Sequence, residues 1–323
     1  MNKTLSIVIP TLNRYEYLKR TLNFIIPQVE RNLDRIELIV ACNASKDDTD
    51  IYMKDIVTRY PFVKYVYFND YVEVGYSLIR SVDLASGEYV VLWGDDDIPF
   101  PYFSDTILDI IDQNPNIGVI FCNRLQGKDT KYGMKNLKLL ITEYEEENGL
   151  YNLNDFIKKF TIRLGFISSL VFKRTVWDKG RSFFNKEFYG YEHLSIILNG
   201  AKGCNCFYYN LPLEIQRQPY SRDFDSKWAL YYLVGIPNMM ADFDKNGLSE
   251  GALEHWEEMG YKSLTKFIWQ ASYTSLDKKY YKSIRSDLLM YQKTRFRKLL
   301  TLTILYLMTK KLFVFFKNRI YND

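Results

Sequence analysis

The sequence contains few of the residues that build metal-bound or disulfide-bonded frameworks. Among its 323 residues there are four cysteines, none in a C-x-x-C spacing, and only two histidines. Structural zinc sites and disulfide frameworks require closely spaced thiol or imidazole groups. Neither is indicated here, and the free thiols favour a reducing, cytoplasmic compartment.

Three further features are missing. Neither of the glycine-rich phosphate loops, G-x-G-x-x-G and G-x-x-x-x-G-K-[ST], occurs in the sequence. The amino terminus leads into a short strand-like segment without the apolar stretch of a secretory signal, so export is not expected. The net charge is only +4, which gives no basis for nucleic-acid binding through overall charge.

The composition is that of an ordered globular protein, with 47% apolar and 25% charged residues. A chain of this length can bury a substantial core and form one large domain with an extension, or two domains. We predict a first domain over residues 1–225 and a helical C-terminal region over residues 226–323.

Strand-like and helix-like segments alternate four times in the first hundred residues. This alternation predicts an α/β fold, Rossmann-like, with a mostly parallel sheet flanked by helices on both faces. In such sheets, ligands bind beyond the carboxyl ends of the strands, so the polar residues that follow each strand should meet in one crevice. The predicted strands are Leu5 to Ile9, Ile36 to Ala41, Val63 to Phe68 and Tyr89 to Leu92, and the predicted helices cover about 14–27, 49–60 and 77–85.

Regular elements are also expected after the fourth strand. A helix is predicted over about 107–114, a strand over 117–123, and further strand-like segments over 206–213. Residues 128–148 are charged and irregular, which predicts a mobile or acceptor-side insertion, with a solvated face as the alternative.

The fourth strand ends in three consecutive carboxylates, Asp95, Asp96 and Asp97. Unpaired charges near a buried strand are costly, so these groups require a neutralising partner. Hard oxygen ligands suit Mg²⁺ or Mn²⁺, which complete their coordination with water and substrate phosphate. The alternative is a solvated loop in which Asp96 or Asp97 caps the next helix.

Three segments resemble family 2 glycosyltransferases of the GT-A fold. Ser6 to Arg14 resembles the first strand of that family, Cys42 to Thr49 its second-strand signature, and Ala85 to Asp97 the segment leading into its metal-binding DXD motif. The Asn-Ala-Ser and Gly-Asp-Asp-Asp variants within these segments are most similar to abequosyltransferase-type members of surface polysaccharide pathways.

The resemblance implies a metal-dependent, inverting transfer of a sugar from a nucleotide-sugar donor to a hydroxyl of a glycolipid or polysaccharide intermediate, such as an O-antigen or capsule precursor. It assigns donor binding and catalysis to residues 1–225. It implies Mn²⁺ or Mg²⁺ at Asp96, the first choice, and at Asp97. The donor-binding positions that it implies are Pro10, Thr11, Asn13, Arg14, Cys42, Asn43, Ser45, Asp47 and Asp95.

Arg217 is a further candidate for the donor site. Its guanidinium can bind a diphosphate through two hydrogen bonds. A surface salt bridge is an equal alternative.

Two positions depart from the family's pattern. Cys42 stands where the family commonly has an Asp that contacts the nucleotide base, and a thiol is a poor acceptor. This argues against a UDP donor and leaves CDP, dTDP and GDP sugars open, as well as UDP held by backbone groups and Asn43. Gly94 replaces the first acidic residue of the family's DxDD variant, so the metal and ribose contacts must fall on the three aspartates that follow it.

Glu192 and His193 stand where the family has an acidic pair at the start of a helix, one member of which is the general base. Either side chain can accept the proton of an acceptor hydroxyl: a carboxylate whose pKa is raised by partial burial, or an imidazole with an ordinary pKa near ~6.5. For His193 the alternative is a structural residue at a helix N-terminus with a satisfied hydrogen bond.

The C-terminal third is predicted to be helical, with amphipathic helices over 227–244, 250–275 and 278–293. Residues 293–319 combine apolar runs with basic residues, and two lysines interrupt the apolar stretch before it reaches the ~20 residues of a spanning helix. This pattern predicts an interfacial helix on anionic lipid at the inner face of the cell membrane, close to a lipid-linked acceptor. A packing or oligomerisation helix is an equal alternative.

Two other functions stay open at this point. A nucleotidyltransferase also uses clustered aspartates on a parallel sheet, although no glycine-rich triphosphate loop is present near the first strand. A catalytically idle scaffold that binds sugar nucleotides or carbohydrates would explain why Cys42, Gly94 and His193 replace acidic residues.

Overall fold

The structure, a computed structural model, describes residues 3–130, 133–139, 148–218 and 235–252. Its first part alternates strands and helices, as the sequence predicts. The elements are β1 (Leu5–Thr11), α1 (Tyr15–Arg31), β2 (Ile36–Asn43), α2 (Thr49–Arg59), β3 (Val63–Phe68), α3 (Val74–Val82), β4 (Tyr89–Leu92), β5 (Ile98–Pro99) and α4 (Phe103–Gln113).

The second part adds longer strands and shorter helices. They are β6 (Ile117–Thr130), β7 (Gly133–Leu139), β8 (Gly149–Asn152), α5 (Leu153–Phe160), β9 (Leu170–Lys173), α6 (Arg174–Gly180), α7 (Glu192–Gly200), β10 (Asn205–Gln218) and α8 (Ile236–Lys245). Short 3₁₀ turns cover Thr161–Gly165, Ile167–Ser169, Arg181–Phe183 and Lys186–Phe188.

The ten strands in the described part form one sheet, with the path β3-β2-β1-β4-β9-β6-β10-β5. β1 pairs in parallel with both β2 and β4, and β2 pairs in parallel with β3. β9 is antiparallel to both of its neighbours, β4 and β6. The carboxyl ends of β1, β2 and β4 therefore lie along the same end of the sheet. Strand β9 lies directly beside β4.

Apolar side chains on the two faces of the sheet form two separate cores. Val8, Ile39 and Val90 belong to the core covered by α3, α5 and α7. Ile7 and Val91, on the opposite face, belong to the core covered by α1, α2 and α4. Successive strand residues alternate between faces, so short, continuously apolar strands fill both cores, as expected of a parallel sheet.

Several local expectations are corrected. Asn13 does not cap α1: it lies in the left-handed region with φ 53°, and Asp47 Oδ2 instead accepts the N–H of Tyr15, the first residue of the helix, at 3.0 Å. Residues 128–148 are not wholly irregular, because β6 continues to Thr130 and β7 follows it. The segment over 206–213 is part of a single irregular strand that runs on to Gln218.

The predicted C-terminal region lies largely outside the described residues. The proposed boundary at 225/226, the helices over 250–275 and 278–293, and the tail over 293–319 all fall there, apart from residues 250–252. Of the helix predicted over 227–244, the described part is α8. No helix in the described ranges is long and apolar enough to cross a membrane.

Candidate active site

Asp95 lies beside the end of β1 and is almost fully buried, with 5% of its surface exposed. Both of its carboxylate oxygens are bound: Thr11 Oγ1 donates to Oδ2 at 2.7 Å, and Arg14 Nη1 donates to Oδ1 at 3.1 Å. Burial raises the pKa of Asp95 to about 6, although the charge of Arg14 opposes this shift. The first aspartate is therefore tied to the β1–α1 turn.

Asp96 carries the most exposed carboxylate of the three and is contacted by two arginines. Arg14 Nη1 donates to its Oδ2 at 2.8 Å, and Arg217 Nε lies 3.5 Å from the same oxygen. The side chains are 20% exposed for Asp96, 37% for Arg14 and 4% for Arg217. The Arg217 guanidinium stacks 3.6 Å from the centre of the Tyr17 ring, which fixes it against α1.

Asp97 is turned into the protein and is 3% exposed. Ser168 Oγ donates to its Oδ2 at 2.6 Å, and the backbone N–H of Arg217 donates to its Oδ1 at 3.4 Å. Burial raises its pKa well above the ordinary value, and the charges of Asp96 and Glu214 add to this. Both of its oxygens are thus hydrogen-bonded within the protein, and Asp97 is less accessible to a metal ion than Asp96; the metal role predicted for Asp97 stays a prediction.

Gly94 has a structural reason to stand where the family has an acidic residue. A Cβ at this position would collide with the Asp97 carboxylate and would come within 3.3 Å of Ser168 Oγ. The N–H of Gly94 donates to that same hydroxyl at 2.8 Å. The glycine therefore belongs to the inward arrangement of Asp97.

The turn that carries the aspartates is fixed from two sides. Thr21 Oγ1, on α1, lies 3.0 Å from the carbonyl oxygens of both Asp95 and Asp97. The indole N–H of Trp93 donates to the carbonyl of Asp97 at 3.2 Å. These contacts orient the carboxylates before any ligand binds.

The described residues include no group of three or more acidic, thiol or imidazole side chains placed to hold a metal ion. Asp95 and Asp96 nevertheless offer hard oxygen donors of the kind that Mg²⁺ and Mn²⁺ prefer, and such ions are commonly held by one or two carboxylates together with substrate phosphates. The donor chemistry fits a divalent cation. The oxygens that it would use are engaged by Arg14.

Of four further predicted donor-binding residues, three connect the two loops that follow β1 and β2, and the fourth lies in β1. The N–H of Asn13 donates to Ser45 Oγ at 2.9 Å, and Asn13 Oδ1 accepts the N–H of Lys46 at 2.6 Å. Asp47 binds the start of α1, as described above, and its Oδ1 accepts the Thr49 hydroxyl at 2.6 Å. Pro10, the fourth, pairs with Ala41 in the sheet. These contacts shape the rim of the crevice.

Cys42 and Asn43 hold the structure rather than line the crevice. The Cys42 side chain has no exposed surface, so in this conformation it cannot contact a nucleotide. The Asn43 amide donates to the carbonyl of Val72 at 2.9 Å and accepts its N–H at 3.1 Å, and Arg80 also binds its Oδ1. The donor contacts predicted for these two residues stay predictions, and their observed contacts are with the protein itself.

Glu192 begins α7 and contacts the start of α3. A Cβ on Gly75 would lie 2.7 Å from the Glu192 carboxyl carbon, so a larger residue there would displace the carboxylate from this position. Burial raises the pKa of Glu192, while backbone N–H groups of Glu192 and Gly190 oppose the shift and the charge of Glu73 adds to it. Within the described part of the chain, Glu192 Oε2 is buried and has no hydrogen-bond partner.

His193 points elsewhere and is 2% exposed. Its Nε2 lies 3.1 Å from the carbonyl oxygen of Gly165. Burial lowers the pKa of His193 to about 4, so the ring is neutral at physiological pH. These features match the structural alternative for this residue.

A scan against protein-family models matches residues 6–179 to the model described as glycosyl transferase family 2. The matched segment is more than half of the chain and contains β1 to α6, with the three aspartates. The chain belongs to glycosyl transferase family 2. The predicted family is therefore confirmed, and the predicted enzyme class, glycosyltransferase, is that of the family.

Two curated relatives are similar to this family member. Abequosyltransferase RfbV of Salmonella typhimurium is 28% identical over 226 residues, which are 66% of each chain. The GalNAc(5)-diNAcBac-PP-undecaprenol beta-1,3-glucosyltransferase of Campylobacter jejuni is 28% identical over 191 residues, which are 58% of this chain and 57% of the relative. The chain thus spans between one half and two thirds of the length of the curated relatives it matches.

Solved structures share the fold. TarS 1–349 of S. aureus in complex with UDP-GlcNAc superposes with a TM-score of 0.59 at 12% identity, covering 86% of this chain and 82% of that chain. The mannosyltransferase PcManGT of Pyrobaculum calidifontis, in complex with GDP-Man and Mn²⁺, gives 0.56 at 14% identity, covering 97% and 87%. The predicted GT-A fold is confirmed.

Sequence reasoning missed a buried polar cluster behind the aspartates of this family member. Ser169 Oγ donates to Glu214, and Arg124 Nη1 donates to Ser169 Oγ at 3.1 Å. Burial raises the pKa of Glu214 to about 7, against the charge of Arg124. The adjacent residues Ser168 and Ser169 thus each donate a hydrogen bond to one buried carboxylate, that of Asp97 and that of Glu214. The only signal for this in the sequence is the Ser-Ser pair before an apolar strand.

Proposed function

We propose that this chain transfers a sugar, with inversion, from a nucleotide-sugar donor to a hydroxyl of a lipid-linked saccharide or polysaccharide intermediate, and that it uses Mn²⁺ or Mg²⁺. The observation that carries the proposal is the pairing of two features in one family 2 fold. One is the oriented acidic turn with its two arginines. The other is a buried, raised-pKa carboxylate at Glu192 with an unpartnered oxygen among the described residues.

Glu192 is our choice for the general base, and His193 is given a structural role. A carboxylate whose pKa is raised by burial is a stronger base than an ordinary one. A buried imidazole with a pKa of about 4 is a weak base, and its Nε2 is already engaged by Gly165.

The transfer proceeds in one step. Glu192 accepts the proton of the acceptor hydroxyl while the acceptor oxygen forms a bond to the anomeric carbon of the donor sugar. The bond between that carbon and the diphosphate oxygen breaks, and its electron pair leaves with the nucleoside diphosphate. Attack from the face opposite the leaving group inverts the anomeric centre, so no covalent enzyme intermediate is required.

The other residues bind and orient the donor. Asp95 and Asp96 would hold the divalent cation, which stabilises the negative charge that develops on the leaving diphosphate. Arg14 is placed to contribute a guanidinium to that diphosphate. Arg217 fixes the Asp96 carboxylate, and Thr11 fixes that of Asp95.

The relatives and the sequence of the tail support the acceptor and the location that we propose. The name of the Campylobacter relative includes an undecaprenol-linked saccharide, and the Salmonella relative is an abequosyltransferase. Both support a role in surface polysaccharide synthesis. We propose that the enzyme works in the cytoplasm at the inner face of the cell membrane, with the basic and apolar residues 293–319 providing the contact.

The first test is calorimetric titration with UDP, CDP, GDP and dTDP, each with and without Mn²⁺. Metal-dependent binding of one nucleotide identifies the donor class, and the corresponding nucleotide sugars are then assayed for release of that nucleotide. An Asp96→Asn variant should lose the metal dependence. Absence of binding to all four nucleotides would contradict the proposal and favour an idle scaffold.

A further inference from the structure

Arg14 occupies the position between two carboxylates of the acidic turn. Its Nη1 lies 3.1 Å from Asp95 Oδ1 and 2.8 Å from Asp96 Oδ2, so one nitrogen binds an oxygen of each. Burial lowers the pKa of Arg14, but the charges of Asp95 and Asp96 outweigh this and raise it overall. The guanidinium is therefore a permanent cation at the oxygens that a divalent ion would use.

The two arginines at this turn differ in their freedom to move. The Arg217 side chain is 4% exposed and stacks on the Tyr17 ring at 3.6 Å, so it is held in place. The Arg14 side chain is 37% exposed, and its guanidinium carbon is 5.8 Å from the centre of the same ring. Of these two cations, Arg14 is the one that can leave the carboxylates.

A diphosphate is the ligand that suits a released Arg14. A guanidinium matches phosphate oxygens with two parallel hydrogen bonds. When Arg14 moves to a phosphate, the carboxylates of Asp95 and Asp96 lose a neutralising partner in a site that is largely out of water. Unpaired buried charges are costly, so the loss of Arg14 raises the affinity of this site for a divalent cation.

We propose that Arg14 is an internal counter-cation that excludes the divalent ion until a nucleoside diphosphate draws the guanidinium away, so that diphosphate and metal bind together. This inference rests on the proposed donor and metal sites and adds the order in which they fill. It implies that diphosphate and cation raise each other's affinity by the same factor. Without diphosphate, the apparent metal affinity equals the intrinsic affinity multiplied by the fraction of molecules in which Arg14 has left the carboxylates.

The test measures Mn²⁺ binding alone, from the loss of the free Mn²⁺ signal in electron paramagnetic resonance, for the full chain and two variants. Arg14→Gln removes the competing cation. Arg31→Gln is the matched control, because Arg31 is at the far end of α1, the helix that Arg14 precedes, is half exposed, and pairs with Asp105. We expect Arg14→Gln to bind Mn²⁺ at least tenfold more tightly than the wild type without nucleotide, and Arg31→Gln to match the wild type.

A second readout uses the nucleoside diphosphate that the wild type binds. In the wild type it should increase Mn²⁺ affinity at least tenfold, and in Arg14→Gln the increase should be clearly smaller, because only the contribution of the phosphate oxygens as metal ligands is left. If thermal melting shows that Arg14→Gln is unfolded, Arg14→Met takes its place, because methionine keeps the unbranched apolar side chain and removes the charge. Its Mn²⁺ affinity without nucleotide should then exceed that of the wild type.

Equal Mn²⁺ affinity in the wild type and the folded Arg14 variant would show that Arg14 does not compete with the divalent ion, and would overturn the counter-cation proposal. In that case Asp96-dependent Mn²⁺ binding by the wild type would leave the proposed metal site intact. Failure of every protein to bind Mn²⁺, with or without UDP, CDP, GDP or dTDP, would refute the metal site itself and the counter-cation with it.

Discussion

Replacing Glu192 by Gln should remove most of the catalytic rate without unfolding the protein. A positioned general base contributes typically 10²- to 10⁴-fold, which corresponds to about 3–5 kcal/mol in the activation barrier. We therefore expect kcat to fall by about that factor. The affinity for the nucleotide should stay unchanged, because the donor contacts lie at the acidic turn.

The stability of this variant follows from the sign of the pKa shift. Burial raises the folded-state pKa of Glu192 above its ordinary value, so the folded protein binds the proton more tightly than the unfolded chain does. The carboxyl therefore favours folding at low pH, and this contribution is lost as the pH rises through the folded-state pKa. A glutamine cannot ionise, so the melting temperature at pH 8 should be equal to or above that of the wild type.

The assay combines release of nucleoside diphosphate, calorimetric binding of the nucleotide and thermal melting. Glu187→Gln is the control, because Glu187 is exposed and lies five residues before Glu192. The wild-type kcat should increase with pH through a pKa above the 4.5 of an ordinary glutamate. A Glu192→Gln variant that keeps more than a tenth of the wild-type kcat, or that loses nucleotide binding instead, would refute the assignment.

Three further substitutions test other parts of the structure. Asp96→Asn should nearly abolish both turnover and Mn²⁺ binding while changing the melting temperature little, and retained activity would remove Asp96 from the metal site. His193→Ala should destabilise the fold by about 2–4 kcal/mol, because it leaves a cavity and an unpaired carbonyl at Gly165; a variant of normal stability with a greatly reduced kcat would return His193 to the chemistry. Ala44→Gly should stabilise the fold by about 0.5–1 kcal/mol in denaturant titration. Ala44 has φ 60°, and a non-glycine residue in this left-handed region costs roughly 1–2 kcal/mol. The larger conformational entropy of glycine in the unfolded chain offsets part of this gain. The buried strand residue Ala41 is the control, since Ala41→Gly should destabilise.

The sequence predicts the first four strands and the edge of the sheet where polar residues gather. Those predictions depend on short-range patterns: largely apolar runs of four to six residues, bounded by turn residues, with helical segments between them. Parallel pairing then places Thr11 beside Cys42. These strands and helices can be predicted without any knowledge of distant contacts. Their predicted bounds therefore differ by only a few residues from the observed ones.

The roles of individual side chains at this edge depend on contacts that are distant in the chain. Asp97 faces inward because Ser168, 71 residues later, binds it, and because the backbone of Arg217, 120 residues later, does the same. Those partners come from the irregular strand β10 and from the turn before β9, whose antiparallel insertion between β4 and β6 has no strong local signal. Without them, the sequence does not reveal that Asp97 faces inward while Asp96 stays partly exposed.

Glu192 and His193 illustrate the same limit at the smallest scale. Adjacent residues on a helix are about 100° apart and do not face the same neighbours, so a sequence pair that matches an acidic pair in the family cannot both serve one site. The fold separates them: His193 contacts Gly165 in the 3₁₀ turn, and Glu192 contacts Gly75 at the start of α3. Gly75, more than a hundred residues before Glu192, has no side chain and therefore leaves room for the Glu192 carboxylate in this conformation. Gly94 does the same for Asp97, which makes the absence of a side chain at two positions as important for this site as its charged groups.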